Sequence, residues 1–205
     1  MYLNTGVKDP VNKVLWDNEH AVLGTGGGTI TVSELPTGTA WVEKGIPAKL
    51  NYVTGAINIS KSAKLYADAT NVATTYQVEK NHLFVVGDII SSFDVASVKG
   101  YAITAIDKTT NTTHDVITVG TTLGVAFTAA NGVYFVQIAA QDAVGGAGTL
   151  KYSPNGLICK NTKVEDSTES NILIFGLKIL RANLPCYLAP IQVTALKLES
   201  TFNFN

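Results

Sequence analysis

From Ala40 onward the chain is a succession of short runs of β-branched and aromatic residues, cut every few positions by Gly, Asn, Asp or Pro, and no long helix-forming stretch intervenes. That spacing restricts the fold to sheet that turns back on itself. It predicts a mainly β protein, a barrel or sandwich of short antiparallel strands. Ala63, Leu65 and Ala67 alternate with Lys64, Tyr66 and Asp68, and Thr75 to Glu79 alternates around Tyr76 and Val78, so each reads as a half-buried strand. Leu83 to Ile90 is apolar on both faces until Gly87-Asp88 and reads as an interior strand with a turn or bulge. Tyr101 to Ile106 and Asp115 to Val119 follow, separated by an exposed polar loop. Asn131-Gly132 and Asn155-Gly156 carry the dipeptide that supplies positive φ for a type I′ turn, and predict two hairpins. Gly145 to Gly148 reads as a flexible crossing between them.

Ile172 to Leu180 predicts a core strand with Leu173, Phe175, Leu177 and Ile179 on one face. Pro190 to Lys197 predicts a short C-terminal helix with Pro in its first turn, and Leu198, Phe202 and Phe204 a terminal strand. Residues 1–36 differ from the rest in being rich in Asn and Gly, and they read as an extended N-terminal arm ahead of a domain over 37–205. Within the arm, Asp9-Pro10 caps a candidate helix toward Leu23, Gly24 to Gly28 forms a hinge, and Thr29 to Ser33 alternates around Ile30 and Val32 as a short strand.

Charged residues make up 15% of the chain against about 25% in an average domain, and 24 threonines suit pleated strands whose outer faces meet water or another subunit. Much of the surface is therefore uncharged. A formal net charge of −1, with no local cluster of Lys and Arg, offers no field to attract nucleic acid. The start of the chain lacks the positive and apolar regions of a secretory signal, so export by that route is not expected. The uncharged stretch from Val116 to Gln141 is interrupted by Asn131-Gly132 and alternates large with small residues, which reads as two strands and a turn in place of a membrane span. Cys159 and Cys186 match no zinc spacing and are expected as free buried thiols, in keeping with synthesis in a reducing cytoplasm.

Three stretches, Tyr76 to Asp88, Ala102 to Asp107 and Asp115 to Gly124, resemble head decoration and head fiber proteins of tailed bacteriophages, of the kind carried by Bacteroides phages including crAss-like phages. Leu150 to Leu157 and Arg181 to Pro185 look like the same family, so the resemblance spans roughly residues 40 to 204 and leaves the arm outside it. It implies an auxiliary virion protein on the outer surface of a capsid, clamping capsomers or anchoring a fiber, made in the host cytoplasm. The expected partners are the major capsid protein and neighbouring copies of the chain, as a homo-oligomer on the shell, with no nucleic acid, membrane or cofactor. The alternative is a host-binding fiber or adhesin module that recognises surface glycans.

The family brings no catalytic residues, and the sequence supplies none. Gly24 to Gly28 lacks the parallel strand before and the Lys-Ser/Thr helix after it that a phosphate loop needs. His20, His82 and His114 are far apart and build no metal site. His82 reads as a ring bonded to a backbone carbonyl. Asp88, Asp94, Asp107 and Asp115 sit at turns or strand ends, where Asp normally serves the backbone rather than pairing for acid–base work. The chain is therefore not expected to be an enzyme. Its candidate interface is the arm and the residues next to it: Tyr2, Trp16, Trp41 and Tyr52 as aromatics that either anchor a partner or pack against the chain's own barrel, Gly26 in the hinge, and Ile30 and Val32 in a strand able to extend a neighbour's sheet. Deleting residues 1–36 is expected to leave a folded domain that no longer decorates shells, as measured by occupancy on purified capsids.

Overall fold

The computed structural model describes residues 22–23, 27–146, 148–164, 168–179, 184–199 and 202–204. It is mainly β, and its contacts fall into two compact units where the sequence reading drew one domain after residue 36. The first unit is made of residues 1–60 and 152–205, the second of residues 61–151. In the first half of the chain run β1 (Val22–Leu23), β2 (Gly28–Ile30), β3 (Trp41–Val42), β4 (Pro47–Leu50) and β5 (Ala56–Ile59). The inserted unit holds β6 (Ser62–Lys64), β7 (Thr75–Glu79), β8 (Ile89–Ser91), β9 (Tyr101–Asp107), β10 (His114–Val119) and β11 (Tyr134–Gln137). The chain then returns through β12 (Gly156–Ile158), β13 (Thr162–Lys163), β14 (Glu169–Ser170), β15 (Ile172–Ile179), the helix α1 (Pro190–Glu199) and β16 (Phe202–Phe204).

The second unit is a barrel. Its strands pair antiparallel in the order β6-β11-β8-β9-β10-β7. Past the end of β6, Leu65 bridges Val78 of β7 and the Tyr66 N–H donates to Gln77 O at 2.9 Å, which joins the last strand to the first. Lys64 and Glu79 form an ion pair across that seam at 2.8 Å. Closure of this kind removes the edges that an open sheet would expose. Period-two patterning directs the side chains: Tyr76 and Val78 of β7 point in, as do Asp115, Ile117 and Val119 of β10. In the core, the rings of Tyr76, Phe127 and Phe135 meet edge to face with centroids 5.2–5.8 Å apart. The buried Tyr76 hydroxyl donates to Ala73 O and accepts from Leu123 N–H, so the polar tip is satisfied. Both ends of the unit are tied to one residue, since Gln137 N–H donates to Lys61 O at 3.2 Å and Lys151 N–H donates to Gln137 O at 3.0 Å.

The first unit also pairs round a ring. One run of chain from Thr168 through β14 and β15 bonds β2 on one side and β12 on the other, because Thr168 O accepts from Ile30 N–H while Asn171 O accepts from Cys159 N–H. The circuit is completed by β12 against β4, β4 against β5, and β5 parallel to β2. β2 approaches so closely that a Cβ at Gly28 would lie 2.3 Å from Gly55 O. β1 and β16 also pair β15, and β13 pairs β3 as a separate ribbon.

Several expectations are corrected. Gly28–Ile30, placed in the arm, is a ring strand with Ile30 2% exposed, so truncation at residue 36 removes part of the first unit's core. The predicted strand ends there, and Val32–Glu34 is a 3-10 turn. Leu83 to Val86 is not a strand: a turn at Gly87, φ 95°, delays β8 to Ile89. Asn131-Gly132 closes no type I′ hairpin. Asn131 ends a 3-10 turn from Ala129, only Gly132 takes positive φ, and the flanks part, with Phe127 paired to Ala69 and Val133 O accepting from Leu65 N–H. Asn155-Gly156 is not a hairpin either, since Gly156 opens β12 and the Asn155 carboxamide clamps β4. Its Oδ1 accepts from Leu50 N–H at 2.8 Å and its Nδ2 donates to Leu50 O at 3.0 Å. The C-terminal helix extends to Glu199 and takes in Leu198. The helix expected over 9–23 lies outside the described residues save for Val22–Leu23, which is strand, and so do the side chains of Leu173, Phe175, Leu177 and Ile179.

Replacing Asn155 by Ala strips both partners from the buried Leu50 peptide. The expected cost is about 2–4 kcal/mol, measurable as a lower denaturation midpoint with an unchanged slope.

Candidate functional site

Two charged clusters lie inside the second unit, where the sequence suggested only surface Asp and His. The first is built on Lys61, immediately before β6, and Asp88, which follows the Gly87 turn. Lys61 Nζ lies 2.7 Å from Asp88 Oδ2, with side-chain exposures of 0% and 6%. The same carboxylate accepts from Val85 N–H at 2.9 Å and from Gln137 Nε2 at 2.7 Å. An ion pair removed from water is held only when its remaining valences are bonded in this way. Ammonium and carboxylate are committed to each other.

The second cluster centres on Asp115, which alternation turns inward on β10. Its Oδ1 meets Lys80 Nζ at 2.6 Å, and its Oδ2 stands 3.3 Å from His82 Nε2. Burial would raise the Asp115 carboxyl, but the His82 and Lys80 partners outweigh it and hold the group below its ordinary value. His82 does not bond a carbonyl. Its Nδ1 accepts from Phe84 N–H at 3.2 Å, so the neutral ring carries its proton on Nε2, toward Asp115. A His–Asp pair catalyses when the second ring nitrogen faces a nucleophile; here that nitrogen is occupied by a main-chain amide. The geometry is that of a structural dyad.

The other candidates disperse. Asp94 accepts from Tyr134 N–H at 2.7 Å, and burial raises its carboxyl despite that bond. Asp107 caps its loop through Thr110 and Thr109, whose donors hold it far below the usual carboxylate range. His114 stacks on Tyr66 with centroids 4.7 Å apart, while His20 lies outside the described residues. Cys159 and Cys186 are free thiols, half-buried where full burial was expected; burial still pushes both up, Cys186 to about 12, which keeps them protonated. No group of His, Cys, Asp and Glu able to hold a metal occurs among the described residues. No helix among them is long and apolar enough to cross a membrane, and the uncharged stretch from Val116 is β10, a 3-10 turn and β11.

Of the expected interface residues, Tyr2, Trp16 and Gly26 lie outside the described residues. Ile30 is core and offers no side chain to a partner; Val32 and Trp41 are half-buried. The feature sequence reading underrated is the hairpin tip between β4 and β5. There Tyr52 is 61% and Val53 94% exposed. Asn51 Oδ1 accepts from Val53 N–H at 2.9 Å and from Thr54 N–H at 3.2 Å, and Gly55, φ 71°, returns its N–H to Asn51 O at 2.8 Å. Two apolar side chains are thus presented on a loop braced by its own hydrogen bonds. The signal was legible as Asn51 and Gly55 framing Tyr-Val-Thr, an apolar pair where a turn normally carries polar residues. A separate polar cleft of about 630 Å³ in the first unit is bordered by Gly27, Thr29, Thr54, Lys160, Glu169 and Asn171, a mixed lining that selects no ligand class.

Comparison with known proteins returned no matching family model, no matching curated protein and no matching solved structure.

Substituting Asp88 by Ala leaves the Lys61 ammonium buried without its counter-charge, at an expected cost of about 3–5 kcal/mol. Replacing Lys61, Asp88 and Gln137 together by Met, Leu and Leu should restore most of that loss. Chemical denaturation of the three proteins checks both outcomes.

Proposed function

We propose that this chain is a structural virion protein that decorates the outer surface of a phage capsid, stabilising capsomers or anchoring a head fiber, with the major capsid protein and neighbouring copies as its partners. The observation that carries this reading is the braced Tyr52–Val53 tip, an exposed apolar contact whose conformation is fixed before any partner arrives. Preorganisation of this kind lowers the entropy lost on docking. A surface with few charges favours close contact between subunits, and repetition of one modest contact by shell symmetry yields avidity without a strong single site. The pairing of the buried charges in the two clusters agrees with a role in packing. The family resemblance of the sequence points the same way.

The β4–β5 tip takes over part of the role assigned to the arm. In the inserted barrel the strand edges are consumed by closure, so attachment there relies on loops and faces rather than strand addition. A glycan-binding adhesin module is the second reading, favoured by the exposed Tyr66 ring stacked on His114.

Mixed with shells assembled from the capsid protein encoded with it, the full chain should bind stoichiometrically. The double substitution Tyr52→Ser, Val53→Ser should weaken binding by about tenfold or more while leaving the melting temperature unchanged. Binding to a glycan array with no affinity for shells would instead establish the adhesin reading.

A further inference from the structure

The segment 81–88 crosses the second unit's barrel between β7 and β8 without joining a ladder, and two of its amides are held by side chains that titrate. Phe84 N–H donates to His82 Nδ1 at 3.2 Å, and Val85 N–H donates to Asp88 Oδ2 at 2.9 Å. Between them Phe84 is fully buried among the barrel's core residues. The segment starts at Asn81, one of the few non-glycine residues with positive φ, 72°, a conformation that Asn tolerates better than most. Its main-chain tethers are Asp88 N–H to Val85 O at 3.1 Å, Gly87 N–H to Ile103 O at 2.8 Å and Ile103 N–H to Asp88 O at 2.8 Å, all at its C-terminal end. Around Phe84 the strap depends on an imidazole nitrogen.

We propose that 81–88 is an acid-operated latch, in which protonation of His82 at Nδ1 turns the acceptor of the Phe84 amide into a second donor and releases Phe84 from the barrel core. The reaction is a simple proton gain: neutral imidazole becomes imidazolium, the Phe84 N–H···Nδ1 bond is lost, and no other bond changes. The charged groups facing His82 are Asp115 on β10, Lys80 on the chain just before the strap, and Lys108 on the loop before β10. Asp115 favours the imidazolium, whereas burial and the two ammonium groups oppose it; burial is the largest influence, and the ring's affinity for protons falls below its ordinary value. Burial likewise lowers Lys108.

Because the folded ring binds protons less readily than the unfolded one, the closed strap is fully stabilised above the unfolded value of about 6.5. That stability is lost progressively as pH falls from there toward the lower folded value. Asp115 stays ionised through this window, its own loss belonging to more acid conditions, since its folded carboxyl lies below the ordinary value. Of this ring and its carboxylate partner, the earlier acid response therefore belongs to His82. For a capsid protein it supplies a means of loosening one element in a mildly acidic compartment while the rest of the fold holds.

The test is amide hydrogen exchange on the full chain at about pH 7.5 and about pH 5, comparing the native sequence with His82→Asn, whose carboxamide can accept from the Phe84 amide but does not titrate. The Phe84 protection factor, corrected for intrinsic exchange, should fall by up to about tenfold per pH unit in the native chain and stay level in the variant. A level response in the native chain, or an equal fall in both, overturns the latch. If His82→Asn does not fold, the His82 ring titration followed by NMR in the native chain serves instead. Its midpoint must coincide with the loss of Phe84 protection, and separate midpoints overturn the proposal.

Discussion

Every short strand leaves amides and carbonyls along two edges, and a chain made of such strands must pair them or expose them. This molecule pairs them in rings. In the inserted unit the closing contacts are Leu65 with Val78 and Tyr66 with Gln77; in the first unit a single run from Thr168 to Ile179 serves two neighbours in turn. In the inserted unit this leaves loops and faces, not strand edges, at the surface. In the first unit the Tyr52–Val53 tip is an exposed apolar loop of the same kind.

The inside of the second unit is more polar than its sequence suggests, and the arrangement has a physical logic. Lys61, Asp88 and Gln137 form one paired group, and Lys80, Asp115 and His82 form another, although Gln137 Oε1 and His82 Nε2 make no hydrogen bond of their own. Both border the strap at 81–88, where no ladder is available. Side-chain acceptors stand in for the missing strand, taking the amides of Phe84 and Val85. Such groups stabilise only as complete sets, because a lone buried charge costs more than a full pair contributes.

How much of this was legible varied with the range of the interaction. Local patterning placed β7, β9 and β10, and Pro190 the start of the C-terminal helix, within a residue or two, because period and propensity act locally. The mainly β class followed from the same signal. Asn131-Gly132 and Asn155-Gly156 misled because a turn dipeptide states what the backbone can do, and tertiary pairing decided otherwise: Asn155 was recruited by Leu50, 105 residues away. Lys61 gave no sign of being buried, since its partner Asp88 is 27 residues distant and reads as an ordinary turn residue. Of the interface proposed from the arm, Ile30 proved to be core because apolar alternation marks burial without saying against which surface.

Gln137 bonds both the residue where the chain enters the inserted barrel and the residue where it leaves. Entry and exit are therefore neighbours in space, and the intervening barrel behaves as a cassette whose two splice points cost the host unit little more than a short loop would.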